Sequence, residues 1–305
     1  MITNLTPTSA IFLANVNRLE QSLSEANSEI SSGKRVNVAS DDPGQIQTLL
    51  QLQTDEMQNT QITSNLESAT TDANSADSAL SSAIQLMDKA VSLATQGASA
   101  ITTASSRQDI AQEIAGIQAE MVSISQTQVQ GRYIFSGDQE NNPTYQLDLT
   151  ATTGTAATTG VDLLSEAPTT RQVQDPQGGT FTASETAQQI FDAPGTGVFA
   201  ALNSLRLSLL ANNQTGVGDA LTALQTASTH LNAMEAFYGN VEDRISNSDT
   251  FASQYDTQLK TAISNIQDAD AASAALQLTQ DNTALQAAFE AEGKMPTTSL
   301  FNYLG

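Results

Sequence analysis

The segment Glu29 to Gln45, "EISSGKRVNVASDDPGQ", concentrates the residue types that could do chemistry. It holds a Gly-Lys pair, the chain's only adjacent basic residues and a double Asp. Gly-Lys followed by carboxylates is the raw material of a phosphate-binding loop with acidic metal ligands. Such a loop needs G-x-x-x-x-G-K-[ST] between a strand and a helix, so that backbone N–H groups can cradle phosphates. Aligned on Gly33-Lys34, Ser28 stands at the first glycine, Arg35 at the Ser/Thr, and a helical pattern precedes them. The nucleotide reading fails on each count. A structural reading uses nearly every residue. Gly33 suits the left-handed position that ends a helix, and Lys34 and Arg35 lie at that helix's negative dipole end. Asp42 is placed as N-cap and Pro43 as first residue of the next helix. Gly33, Lys34, Arg35, Asp42 and Pro43 are therefore assigned to a capped joint between two helices.

Other chemistry is equally thin. Asp268 and Asp270 lack the D-x-[DN]-x-[DN]-G pattern and distal Glu of a calcium loop and are assigned to a link or cap. No Trp is present to make a sugar platform beside paired carboxylates. G-x-S-x-G is absent, and a single His, His230, leaves little room for a triad. His230 lies beside an apolar helical stripe and reads as a surface residue. With no cysteine, thiolate sites and disulfides are excluded. No catalytic residue, cofactor or metal site is assigned, and the chain reads as non-enzymatic. The competing reading from another class is an enzyme housed in residues 137–195, using Asp162, Asp175 or Glu185.

Charge narrows the partners. Acidic residues number 33 and basic ones 11, giving a net −22. The scattered basic residues build no stripe to neutralise nucleic-acid phosphates, and anionic membrane surfaces would repel the chain. Neither is an expected partner. No run approaches the ~18 apolar residues of a membrane span, and "MITNLTPTSAIFLANVNRLEQ" lacks the basic leader of a cleaved signal.

The elements are read from a spacing of three and four. It picks out Phe12, Val16, Leu19, Leu23, Ala26 and Ile30, then Ile62 to Ala94, then Ile110 to Ile124. The longest run goes from Leu224 to Ile266. A shorter helix surrounds Phe199, Leu202 and Leu205. A last helix carries Ala271, Ala275, Leu278, Leu285 and Phe289, ended by Gly293 and Pro296. Alternating steps of four and three are a coiled-coil seam, and all seven prolines, Pro168 among them, fall outside the four long runs. Gly97 can end the second helix, Ser105 with Gln108 makes a capping box for the third, and "NNQTGVGD" (Asn212 to Asp219) divides the short helix from the longest. Between Ser136 and Gly197 the period vanishes. "LTATTGTAATTG" favours strand through its β-branched Thr, and "RQVQDPQGGTFTA" reads as a hairpin. The expected fold is mainly α: a long antiparallel helical rod, coiled-coil-like, with both termini together and an inserted β-rich tip domain. Its expected parts are residues 1–31 plus 271–305, 32–136 plus 198–270, and the insert 137–197.

These motifs carry a resemblance. "EISSGKRVNVASDDPGQ" resembles the segment after the first helix in bacterial flagellins and hook-associated proteins, and "SNIQDADAASAALQLTQDNTALQAA" resembles the entry to their last helix. "GRYIFSGDQENNPTY" (Gly131 to Tyr145) and the ending "SLFNYL" (Ser299 to Leu304) are similar to the hook-associated protein 3 branch. The resemblance covers the long helices and both ends, roughly two-thirds of the chain. It implies an extracellular structural part of the flagellum, serving motility, at the hook–filament junction. Implied partners are other copies in a ring-like oligomer, hook-associated protein 1, flagellin and a flagellar export chaperone. It implies type III export without a cleaved signal, and terminal helices that form an axial core on assembly. Carried to this chain, that assembly interface is Phe12, Val16, Leu19, Leu23, Ile30, Leu278, Leu285 and Phe289. A flagellin filament subunit is the nearest alternative. A type III-secreted needle-tip or translocator protein is a further one, which would not carry the "SSGKR…SDDP" and "DAD" pair at opposite ends.

Overall fold

The computed structural model describes residues 7–166 and 169–294. The breaks read at Pro168 and Pro296 and the Ser299–Leu304 motif lie outside the described residues. The fold is mainly α with a β-containing insert. In chain order come α1 (Pro7–Ser32), α2 (Ile46–Ala98) and α3 (Ala104–Ser125). The insert follows. Strands β1 (Gln128–Val129) and β2 (Arg132–Tyr133) pair, β3 (Tyr145–Leu147) pairs with β4 (Val161–Leu163) across α4 (Gly154–Thr159), and β5 (Gln172–Gln174) pairs with β6 (Thr180–Thr182). All three pairs are antiparallel. Then come α5 (Ala187–Phe191), α6 (Val198–Leu210), α7 (Gln214–Gln267) and α8 (Ala271–Gly293). The chain divides into two compact units: residues 1–58 with 255–305, and residues 59–254.

The larger unit, 59–254, owes its core to the spacing of three and four. Leu66, Ala69, Ala73, Ala76, Leu80, Ala83 and Met87 of α2 are buried. They share one cluster with Ile110, Ile114, Ile117 and Met121 of α3 and with Leu224, Leu231, Tyr238, Val241 and Ile245 of α7. Alanine at four of these seven seam positions lets helix axes approach closely. The insert joins this core through aromatics: Phe135 meets Phe191 and Tyr238 edge-on at 5.9 and 6.3 Å. The Gly131–Tyr145 stretch is thus built around a buried anchor. Its turn, Gln130–Gly131, has positive φ at both residues, which a two-residue hairpin with right-twisted strands requires. Arg132 and Arg171 then bridge Glu140 and the half-buried Asp72 of α2.

Several local expectations are corrected. The N-cap of α3 is Thr103, whose hydroxyl accepts from the Ser106 N–H, rather than Ser105. Gly97 lies inside α2, where a Cβ would come within 2.6 Å of Leu209 Cδ2; it permits close packing and ends nothing. Helix α7 starts at Gln214, so most of "NNQTGVGD" is helical. The Thr-rich stretch forms helix α4 and not only strand, because buried side chains cap it from outside. Gln118 Nε2 donates to Thr159 O at 2.6 Å, and Asn203 Nδ2 donates to Ala157 O and Thr158 O. Tertiary capping overrides a propensity of tenths of a kcal/mol. The Arg171–Ala183 hairpin is present, turning through Asp175–Gly179.

Candidate functional site

Within the smaller unit, α1 and α8 run antiparallel in a single register. The Lys34 and Asp268 backbones form a β-bridge, Ser22 Oγ donates to Asp281 Oδ2, and the Phe12 and Phe289 rings touch edge-on at 6.1 Å. Helix α1 presents the stripe expected of it. Val16 and Ala26 are buried, with Phe12, Leu19 and Leu23 half-buried, while Ile30 stays 41% exposed.

On α8 the inward line differs from the expected one. Ala274 and Asp281 are buried and Leu278, Leu285 and Ala288 half-buried, whereas Ala271 and Ala275 are exposed. Alanine at 271, 272, 274 and 275 leaves the phase of the stripe ambiguous in sequence. The structure resolves it by the step Ala274, Leu278, Asp281, Leu285, Ala288. Phe289 caps the end of the pair and remains 53% exposed. Asp281 is the residue sequence reasoning missed. A strict four-three walk from Leu278 to Leu285 would have passed through it.

The pair leaves much apolar surface outside. Ile11 (64%), Leu13, Ile30, Leu276 (59%) and Phe289 are exposed. Full burial of a large apolar side chain contributes about 1.5–3 kcal/mol. The two helices therefore leave several large apolar side chains exposed after pairing with each other.

The joint positions the pair. Gly33 has φ +69°, with its N–H bonded to Glu29 O, so the left-handed turn that stops α1 is present. Arg35 does not serve the end of α1. Its backbone N–H and that of Val36 bond Gln267 O, and its Nη2 donates to Ile266 O, so it caps the negative end of α7. Its Nη1 pairs with Asp42 at 3.1 Å. Regular helix begins at Ile46, yet Asp42 O accepts from the Ile46 N–H and Asp42 Oδ1 from the Gln45 N–H; Pro43 sits in that lead-in turn. The double Asp has divided labour. Asp41 Oδ2 accepts from the Asn37 and Val38 N–H groups at 2.8 Å each, and these bonds, Val38 first, hold its carboxyl below the usual range.

Across the joint, Ala269 N–H returns a bond to Gly33 O. Asp270 then caps α8: Oδ1 accepts from the Ala272 and Ser273 N–H groups and Oδ2 from the Ser273 hydroxyl. The Ser273 hydroxyl bond is the main reason its carboxyl is held low. Asp268 accepts from Ser264 Oγ. Asp270 thus caps a helix, and Asp268 lies in the link before it. Among the described residues no group of three or more His, Cys, Asp or Glu could hold a metal ion, and no helix is long and apolar enough to cross a membrane.

Of the remaining candidates, Glu185 and His230 line one surface pocket, while Asp162 and Asp175 lie outside it. His230 is half-buried, its Nε2 2.8 Å from Gln189 O. Asp162 is exposed on β4, Asp175 shapes the β5–β6 turn, and Glu185 precedes α5 with its carboxyl pushed up by burial.

The model of the bacterial flagellin N-terminal helical region matches residues 3–140, and that of the bacterial flagellin C-terminal helical region matches residues 221–304. No curated protein matches. Among solved structures, one from Vibrio parahaemolyticus described as a flagellar hook-associated protein superposes with a TM-score of 0.63 at 19% identity. It covers 75% of this chain and 100% of that one. FlgL from Bacillus cereus gives 0.54 at 17% identity, covering 69% and 97%. FlgL from Xanthomonas campestris gives 0.59 at 14%, covering 69% and 98%. At these identities the likeness is one of fold.

Proposed function

Because the chain belongs to the bacterial flagellin family, it is a structural component of the flagellum, and we propose that it forms the junction between hook and filament. In this reading copies of the chain assemble into a ring that contacts hook-associated protein 1 on one side and flagellin on the other. They leave the cell through the flagellar export channel, escorted by a chaperone. The protein does no catalysis; its work is assembly. Residues 1–31 with 271–305 form the axial core, residues 32–136 with 198–270 the helical body, and residues 137–197 the insert.

The observation that carries this reading is the apolar surface left exposed on the α1–α8 pair. Ile11, Leu13, Ile30, Leu276 and Phe289 remain exposed on a pair whose inner seam is already formed. Burying these side chains against neighbouring copies supplies the driving force for polymerisation, offset by the entropy of ordering the helices. The junction is favoured over the filament by the Gly131–Tyr145 stretch and by a fold likeness to FlgL chains that covers 69% of this chain and 97–98% of theirs.

Purified protein tests the choice. A junction protein stays short of long filaments at concentrations where flagellin polymerises, whereas growth of micrometre-long filaments from this chain alone would establish the flagellin reading.

A further inference from the structure

Among the described residues of 59–254, every basic side chain but Lys89 has a partner. Arg107 donates to Gly97 O, Ser99 O and Asn212 Oδ1, and Arg206 to Asn203 Oδ1 and Leu149 O. Arg132 and Arg171 pair with Asp72 and Glu140, and Arg244 lies over the Phe181 ring. Lys89, exposed on α2, has neither hydrogen bond nor ion pair among the described residues. Its neighbours three and four positions away, Gln85, Leu86, Ser92 and Leu93, offer no acid.

Glu185 and Asp192, at the two ends of α5, show the opposite imbalance. Both are half-buried, burial pushes both carboxyls up, and neither carboxyl has a partner among the described residues. They line an open hollow of about 560 Å³ together with the apolar Ala193, Pro194 and Met234. His230 of α7 lines it too. Its Nε2 donates to Gln189 O at 2.8 Å, since a carbonyl only accepts, and this bond ties α5 to α7. Half-buried carboxylates without a partner carry a desolvation cost that a cation set between them offsets. The apolar lining suits the methylene stem of a long basic side chain.

We propose that this hollow is the docking site for Lys89 of a neighbouring copy of the chain. One copy presents the lysine and the next presents the acids, a heterologous contact of the kind that closes rings. The heights of the two features agree. Asn59 Nδ2 donates to Ala252 O and Gln214 Nε2 to Ala98 O, so α2 and α7 run antiparallel. Lys89 lies nine positions from Ala98 and His230 sixteen from Gln214, which sets them about 10 Å apart along the axis. Copies standing side by side meet with that small offset. A second acidic groove, lined by Glu67, Glu242 and Asp249, lies about 30 Å down α2 from Lys89 and is out of step. In a chain of net −22 an unpaired lysine is scarce, so few wrong surfaces can fill the hollow. Apolar burial supplies the drive for assembly, and this contact sets which face meets which. The inference rests on the reading that copies assemble side by side, and not on their position at the junction.

The test uses the full chain assembled on cells. The chain has no cysteine, so Lys89→Cys with Gln188→Cys places one thiol at the lysine position and one at the hollow. Purified flagella treated with a short bis-maleimide are expected to give a ladder of cross-linked multimers of this chain, and either single variant none. Charge exchange tests the chemistry. Lys89→Glu and Asp192→Lys are each expected to lower the amount of this chain retained on purified flagella at least about tenfold. Combined, they are expected to restore it to within about threefold of the parent. Glu185→Lys is expected to act as Asp192→Lys does, alone and in combination, and urea unfolding of each purified variant separates loss of fold from loss of contact. Absence of the ladder on flagella that carry the double-cysteine chain would overturn the proposal. So would full retention of Lys89→Glu, or no recovery on combining variants that fold as the parent does. Gold along the filament with the ladder present would refute the junction position and support the contact.

Discussion

The aspartates around the joint carry the same side chain into three different tasks, and their environments tell the tasks apart. Asp41 closes a turn onto backbone N–H groups, Asp270 caps α8, and Asp281 sits in a seam. Asp270 gives a pH prediction. Its folded pKa lies below the ordinary value because the Ser273 hydroxyl and two backbone N–H groups bond the charged form. The stability it confers is therefore present above the ordinary carboxylate range and is lost as pH falls through the depressed value. Circular dichroism of the parent is expected to show helicity lost on acidification below about pH 4. That loss should be smaller in Asp270→Asn, which still caps but no longer titrates; identical acid profiles would refute it. Gly33 is a second residue-scale test. With φ at +69° and no atom within 4 Å of a Cβ, the site is limited by backbone conformation alone. Gly33→Ala is expected to destabilise the smaller unit by about 1 kcal/mol, seen as faster exchange in α1 and α8.

At the scale of elements, the long helices were legible because a spacing of three and four is hard to produce otherwise. Leu66 to Met87 and Leu224 to Ile245 fall where that spacing puts them. The phase of α8 was not legible, since alanines surround it and its seam runs through an acid. Nor was α4, which exists because Gln118 and Asn203, distant in sequence, satisfy its last carbonyls. The partner of Arg35 was missed for the same reason: Ile266 lies 231 positions away along the chain. Joint and caps could be read because their bonds are local. Packing within the larger unit is tested by Phe135→Ala. It removes a fully buried ring that meets two others, and is expected to cost about 3–5 kcal/mol, measured by urea unfolding of the larger unit. In the terminal pair, Leu285→Asp places a second carboxylate one turn from Asp281. Assembly is expected to be abolished while the unfolding midpoint of the larger unit is unchanged. Flagella of normal length and shape on that variant would contradict the role given to α8.

For the whole molecule, the division of surfaces matters more than any one contact. The larger unit carries a closed core and a β-containing insert anchored on Phe135, Phe191 and Phe199. The smaller unit carries a pair of helices joined along one seam, with large apolar side chains still exposed. A net charge of −22 keeps free chains apart by mutual repulsion, so productive association falls to the apolar faces. Higher ionic strength screens that repulsion and is expected to speed assembly onto hook ends. A family of filament subunits shares the same terminal helices, and position in the flagellum is what distinguishes a junction from a filament. Immuno-gold labelling of intact flagella with antibody to this chain reads that position directly. The account predicts a single narrow band of gold at the boundary between hook and filament; gold distributed along the filament would contradict it.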